Sequence, residues 1–230
     1  GGGGAGSLAI NDLAVNGKGG GGGAGGEVIS ASVIVTPGTV LEFTIGQGGT
    51  GGVTDSESGD QGGATTVTVI EGSMTYANAT PITSLVARGG RGGGGGQSFT
   101  QQNRGGVGWD VTSGGSSTDT IYGANDRTAA GTGITSTISN TQFAVGGGSG
   151  GSANQTGTTV ANGASGGNGS TNRSTDATSG ASASSGTGSG GGGGAGQSHG
   201  RAGSPGGNGG SGQVQIQFQT KQGGSLATGG

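Results

Sequence analysis

The sequence predicts an all-β and irregular domain with essentially no α-helix. Its parts are β-hairpins and a C-terminal strand, packed with a bundle of polyglycine II helices. Three observations predict this. Glycine fills 68 of the 230 positions, against a usual share of roughly 7 %. Leu, Ile, Val and Phe together make about 14 % of the chain, below the roughly 20 % that supports an ordinary core. Val and Ile outnumber Leu by 24 to 5, which favours strand over helix, and no stretch has helical periodicity.

The glycines concentrate in six runs, at 1–6, 17–26, 89–96, 146–151, 190–196 and 206–212. A glycine loses the most backbone entropy on folding and has no side chain to bury in return. A glycine α-helix is poor. The remaining regular form is the polyproline II helix, with three residues per turn, about 3.1 Å rise and no internal hydrogen bonds. Without Cβ atoms such helices can lie side by side. Their outward N–H and C=O groups then pair between helices, helped by Cα–H···O contacts. A run of about seven residues spans roughly 22 Å on that rise. The glycines become the core, and the segments between them its surface loops.

Between the runs the first half carries strands. Residues 27–35 and 40–46 flank Thr36-Pro37-Gly38-Thr39. Pro then Gly at the centre of four residues suits a type II turn. Leu41, Phe43 and Ile45 alternate with Val40, Glu42 and Thr44, so the two arms read as a hairpin. Residues 65–70 and 82–88 read as two more strands. Val214, Ile216 and Phe218 alternate with Gln215, Gln217 and Gln219, which makes 213–220 the clearest strand in the chain. Phe43 and Phe218 are expected in the core. The chain reads as one domain over 1–230. Its strand-rich part is 1–96, its loop-rich part 97–205, and its final run, closing strand and tail 206–230.

Composition excludes several classes. Collagen needs a strict Gly-X-Y period and abundant Pro, and this chain has three prolines and no such period. No window approaches the roughly 18 apolar residues of a membrane-spanning helix, so no membrane insertion is expected. The absence of cysteine removes disulfides and thiolate chemistry. A net charge of -3 does not advertise nucleic acid as a partner. Residue 1 is Gly and no signal-peptide pattern follows, which predicts a processed chain or a piece of a longer one.

The chemical motifs are weak. At this glycine content about six Gly-x-Gly-x-x-Gly matches arise by chance, so the dinucleotide fingerprint carries no information. The one histidine, His199, lies between glycines with no neighbouring Asp, and reads as a surface loop residue rather than a catalytic base. Asp55, Glu57 and Asp60 are close enough to suggest Ca²⁺, but match no calcium-loop spacing and read as a solvated acidic turn. Arg88 and Arg91 resemble a short RGG segment; two copies in an acidic chain read as arginines flanking a glycine helix. No catalytic residue, metal site or cofactor is expected. Aromatic residues in polar loops suit binding, where a rigid ring gives contact area at low entropy cost. Phe99, Trp109 and Tyr122, with the nearby Arg127, are the expected contact residues.

Several stretches, in order, resemble glycine-rich domains of bacteriophage tail fibres. They are Gly-Gly-Gly-Gly-Gly-Ala-Gly-Gly-Glu-Val-Ile at 19–29, Val-Thr-Pro-Gly-Thr at 35–39, and Phe-Thr-Ile-Gly-Gln-Gly-Gly-Thr-Gly-Gly at 43–52. Ala-Arg-Gly-Gly-Arg-Gly-Gly-Gly-Gly-Gly at 87–96 and Gly-Gly-Asn-Gly-Gly-Ser-Gly-Gln-Val-Gln-Ile-Gln-Phe at 206–218 complete the set. In design the chain is similar to the distal tail-fibre adhesins of T-even-type phages. That resemblance implies a polyglycine II sandwich whose variable loops, here 97–112, 116–141 and 152–189, bind a bacterial surface receptor. The receptor would be an outer-membrane protein or a surface glycan. Location on the virion tail fibre, outside the cell, and contact with other fibre subunits, as in a homotrimer, follow from the same likeness. No attachment domain precedes Gly1 here, a departure from a complete adhesin. The alternative is a structural subunit of an extracellular filament or virion coat, in which strands such as 213–220 pair between subunits.

Overall fold

The computed structural model describes residues 19–53, 57–94, 131–151, 156–157, 159–160, 164–165, 168, 176–196 and 203–218. Among these there is no helix. Eight short strands form: β1 (Val33–Val35), β2 (Val40–Thr44), β3 (Thr65–Glu71), β4 (Met74–Tyr76), β5 (Pro81–Ile82), β6 (Ser84–Ala87), β7 (Ile134–Thr135) and β8 (Gln142–Phe143). They make three small antiparallel sheets, ordered β1-β4-β5, β2-β3-β6 and β7-β8.

The rest of the described chain is a lattice of polyglycine II runs, joined through backbone hydrogen bonds. Run 1 (19–26) donates from Gly20, Gly23 and Gly26 to Gly194, Gly191 and Gly188 of run 7 (188–196). Its intervening donors Gly21 and Ala24 reach Gly94 and Arg91 of run 4 (88–94), and Glu27, just beyond run 1, reaches Arg88. Every third residue thus serves the same neighbour, as a three-residue turn requires. Gly147 and Gly150 of run 5 (144–151) donate to Gly23 and Gly20. Run 8 (203–212) bonds run 7 on one side and run 2 (46–52) on the other, through Gly206, Gly209 and Gly212. Run 3 (59–63) bridges runs 2 and 4. Run 6 (177–183) lies beside run 8. Runs 5 and 7 are parallel, runs 1 and 7 antiparallel. Both orientations occur because each run presents donors at 120° steps around its axis.

The expected glycine core is therefore what the structure contains, and it is larger than six runs. Those at 17–26, 89–96, 146–151, 190–196 and 206–212 appear wholly or in part; 1–6 lies outside the described residues. Runs 2, 3 and 6 are additions, recruited from segments with fewer glycines. Side chains fall where the lattice ends. In run 2, Gly46, Gly49 and Gly52 are buried while Gln47, Thr50 and Val53 face outward. In run 8, Ser204, Gly207 and Gly210 are buried, and Pro205 and Asn208 are exposed. Close packing enforces the choice: a methyl carbon at Gly22 would stand 2.1 Å from the carbonyl oxygen of Gly147.

The turn at 36–39 forms as expected, with Gly38 at φ +84° and Thr39 N–H donating to Thr36 O at 3.1 Å. The hairpin does not. β1 pairs with β4, and β2 with β3. Type II turns lack the twist that brings two strands back into register, which type I′ and II′ turns supply. The turn acts as a corner instead. Thr36 Oγ1 and Thr39 Oγ1 both bond Ser73, 3.3 Å to its hydroxyl and 3.1 Å to its carbonyl oxygen. Gly72, at φ +84°, provides the matching corner in the opposite arm.

The strands expected at 65–70 and 82–88 are present as β3 and as β5 with β6; β4 is an addition. The strand expected at 213–220 is not: 213–218 has no ladder partner among the described residues, and 219–220 lie outside them. Phe43 and Phe218 are not core residues, being 42 % and 78 % exposed. Phe43 lies on a β2 whose residues are all exposed or half-buried, and Phe218 lies in a stretch without a ladder. Among the described residues, Met74, Ile82 and Val145 are the only buried apolar side chains larger than alanine.

Candidate functional site

The lattice has two unlike ends. At one end the runs continue directly into strands: β2 stops two residues before Gly46, β3 starts two after Gly63, β6 leads into Arg88 and β8 into Ala144. Thr65 makes the joint. Its buried hydroxyl accepts the Gly46 N–H at 3.0 Å, satisfying a donor where run 2 gives way to β2.

At the other end the register brings chain exits together. Gly20 bonds Gly194 and Gly150, Gly21 bonds Gly94, Gly59 bonds Gly93, Gly206 bonds Gly52, and Gly196 bonds Gly151. Gly52, Gly59, Gly94, Gly151 and Gly196 therefore share one level. Segments 54–56, 95–130, 152–155 and 197–202 all start there. Asn168, which accepts from Thr178, leads into 169–175 beside the start of run 6. The expected contact residues Phe99, Trp109, Tyr122 and Arg127 belong to the segment that leaves at Gly94. They lie outside the described residues, as does His199. Gly131, where that segment returns, accepts from Gly146 nearer the sheets.

Of the three expected loops, 97–112 lies outside the described residues. The described part of 116–141 includes β7. The loop expected at 152–189 is corrected in part. Ala164 and Ser165 accept from Gly148 and Ala181, and Gly180 and Ala183 donate to Pro205 and Asn208. Those residues are scaffold. Ala164 and Ala177 are buried, small enough to sit where a neighbouring run packs closely, while Ala181, Ser182 and Ser184 are exposed.

The acidic turn holds its own backbone. Glu57 Oε2 accepts the Val53 N–H at 2.8 Å, and Asp60 Oδ2 accepts from the Thr50 hydroxyl. Asp55 lies outside the described residues. Among the described residues no group of three His, Cys, Asp or Glu side chains is placed to hold a metal ion. Arg88 and Arg91 stand three apart on the exposed row of run 4, their carbonyls accepting from Glu27 and Ala24.

Sequence reasoning missed one feature near the sheets. A cleft of about 790 Å³ lies between the β7–β8 hairpin and run 6. Its lining includes Thr135, Asn140, Gln142, Ser182, Ser184 and Thr187, all uncharged. Asn140 and Ala144 nearby hold positive φ angles of 54° and 55°, unusual for residues other than glycine. Such a surface offers hydroxyl and amide hydrogen bonds and no acid–base group. Its residues are 40 or more positions apart across the two elements, so no local motif announced it.

A family model described as a glycine-rich domain matches residues 1–219. No curated protein matches the chain.

Proposed function

The chain belongs to the glycine-rich domain family, and from that premise we propose that it is a non-enzymatic, receptor-binding adhesin at the tip of a phage tail fibre. The observation that carries this reading is the convergence of four segment starts on one end of a hydrogen-bonded scaffold. A rigid scaffold limits the ordering cost of binding. The segment leaving at Gly94 bears Phe99, Trp109, Tyr122 and Arg127, rings and a cation of the kind enriched at binding hot spots. The tail-fibre likeness of the motifs at 19–29, 35–39, 43–52, 87–96 and 206–218 supplies the setting. The partner is an outer-membrane protein or surface glycan of a bacterium, and no chemistry follows binding.

The test is a pull-down of the purified chain on intact Gram-negative cells, beside a Trp109→Ala/Tyr122→Ala variant. The expected result is saturable binding to some strains, weakened by about tenfold or more in the variant. Both proteins are expected to melt at the same temperature, because neither position belongs to a glycine run or a strand of the described scaffold. Absence of binding to every strain, with fibres of the purified chain under the electron microscope, would overturn the adhesin in favour of a filament or coat subunit.

A further inference from the structure

Run 8 ends at Gly212, whose N–H donates to Gly46 O at 2.8 Å. From that bond the chain continues as Gln213–Phe218, alternating Val214, Ile216 and Phe218 with glutamines. Ile216 is 49 % and Phe218 is 78 % exposed. Among the described residues the backbone of these six positions makes no hydrogen bond. β2, which runs into the same bond from the other side, is an edge strand paired only with β3. Its face continues the apolar pattern, since Phe43 sits opposite Val67, and Val67 opposite Leu85.

The two elements meet at Gly212 and Gly46, and beyond that bond no backbone hydrogen bond joins them among the described residues. Gln215 is held elsewhere, its side chain bonded to Ser136 at 2.7 Å and Ser139 at 3.0 Å on the β7–β8 hairpin. One copy therefore presents a strand lacking a sheet and a sheet edge lacking a strand. Natural edge strands are usually guarded by charge, proline or a bulge. Residues 213–218 carry none of these. β2 has a single charge, Glu42, against which an uncharged strand sets no like charge, and its one register irregularity lies at its start, between Val40 and Leu41, leaving Leu41–Thr44 regular.

We infer that the sheet end is an assembly surface for a second copy of this chain. Residues 213–218 of each copy add as an antiparallel strand to the β2 edge of the other. Main-chain bonds supply the pairing and the alternate apolar side chains the register, as in other β-augmented complexes. Reciprocal exchange makes the contact isologous, and a two-fold dimer closes. This inference does not depend on the adhesin reading.

Sedimentation velocity of the full chain over a range of concentrations tests it, with amide exchange read at 214–218. Two variants accompany it: Ile216→Lys/Phe218→Lys on the strand and Phe43→Lys on the edge. The expected result is a dimer, dissociated about tenfold or more readily by either variant, with unchanged melting of the monomer. Protection at 214–218 should rise with concentration. A monomer at every concentration overturns the inference: protected 214–218 would mean closure on the chain's own β2, and unprotected 214–218 a strand with no partner. A dimer indifferent to both variants would also overturn it, by placing the contact on another surface.

Discussion

Gly193→Ala is expected to cost about 3 kcal/mol or more, at the upper end of what overpacking usually costs. Where the backbone conformation is compatible, replacing glycine by alanine normally stabilises by about 0.4–1 kcal/mol, because it restricts the unfolded chain. At Gly193 the added carbon would stand 2.1 Å from Gly20 O. That oxygen already accepts from Gly150 N–H, while Gly193 N–H donates to Gly148 O. Run 1 cannot retreat without breaking its bond to run 5. Gly63→Ala is the matched control. There the nearest atom would be Gln47 N at 3.2 Å and the site is exposed, so the change is expected to stay within about 1 kcal/mol. Calorimetric melting of both variants checks the pair.

Among the described residues, Met74→Ala is expected to be the most damaging truncation of a large side chain, at about 2–4 kcal/mol. Met74 is 2 % exposed and lies opposite Ile82 on one side and Val35 on the other. Phe218→Ala removes a larger side chain, yet in the isolated monomer it should cost under about 0.5 kcal/mol, since Phe218 is 78 % exposed. Urea denaturation of both variants at a concentration that keeps the chain monomeric measures the contrast. The ranking reverses the usual order, in which a buried aromatic outweighs methionine, because none of the described aromatics, Phe43, Tyr76, Phe143 and Phe218, is buried.

That reversal shows which part of the fold was legible in the sequence. The entropy argument for glycine led to polyglycine II packing, and the runs found by glycine density are in the lattice wherever they are described. Density was too coarse a signal for runs 3 and 6. A run needs a small residue only where a neighbour's carbonyl presses on it, so every third position tolerates almost anything. Gln47, Thr50 and Val53, or Arg88 and Arg91, mark that period in the sequence, and spacing by three would have found run 2. Strand pairing was less legible. The Pro37-Gly38 turn was read correctly as type II, but its twist sends β2 away from β1, and the partners lie more than 20 residues downstream. Alternation at 213–218 signals a strand; it does not signal that none of the described sheets receives it.

The candidate site was legible in a different sense. Aromatic residues in polar segments stand out by chemistry, but nothing local says at which end of the lattice their segment begins. That follows from register: Gly21 bonds Gly94, and Gly196 bonds Gly151. The uncharged cleft at Asn140 and Ser184 had no signature, because serine, threonine and asparagine are common throughout the chain.

Amide hydrogen exchange followed by NMR tests the glycine core most directly. If the glycines are the core, amides of Gly23, Gly147, Gly190 and Gly193 exchange slowest, because each is buried and bonded to another run. They should outlast the short, half-exposed β7 and β8, opening only with global unfolding. Glycine amides exchanging at unprotected rates while β3 stays protected would contradict the account, leaving the runs as linkers between small sheets.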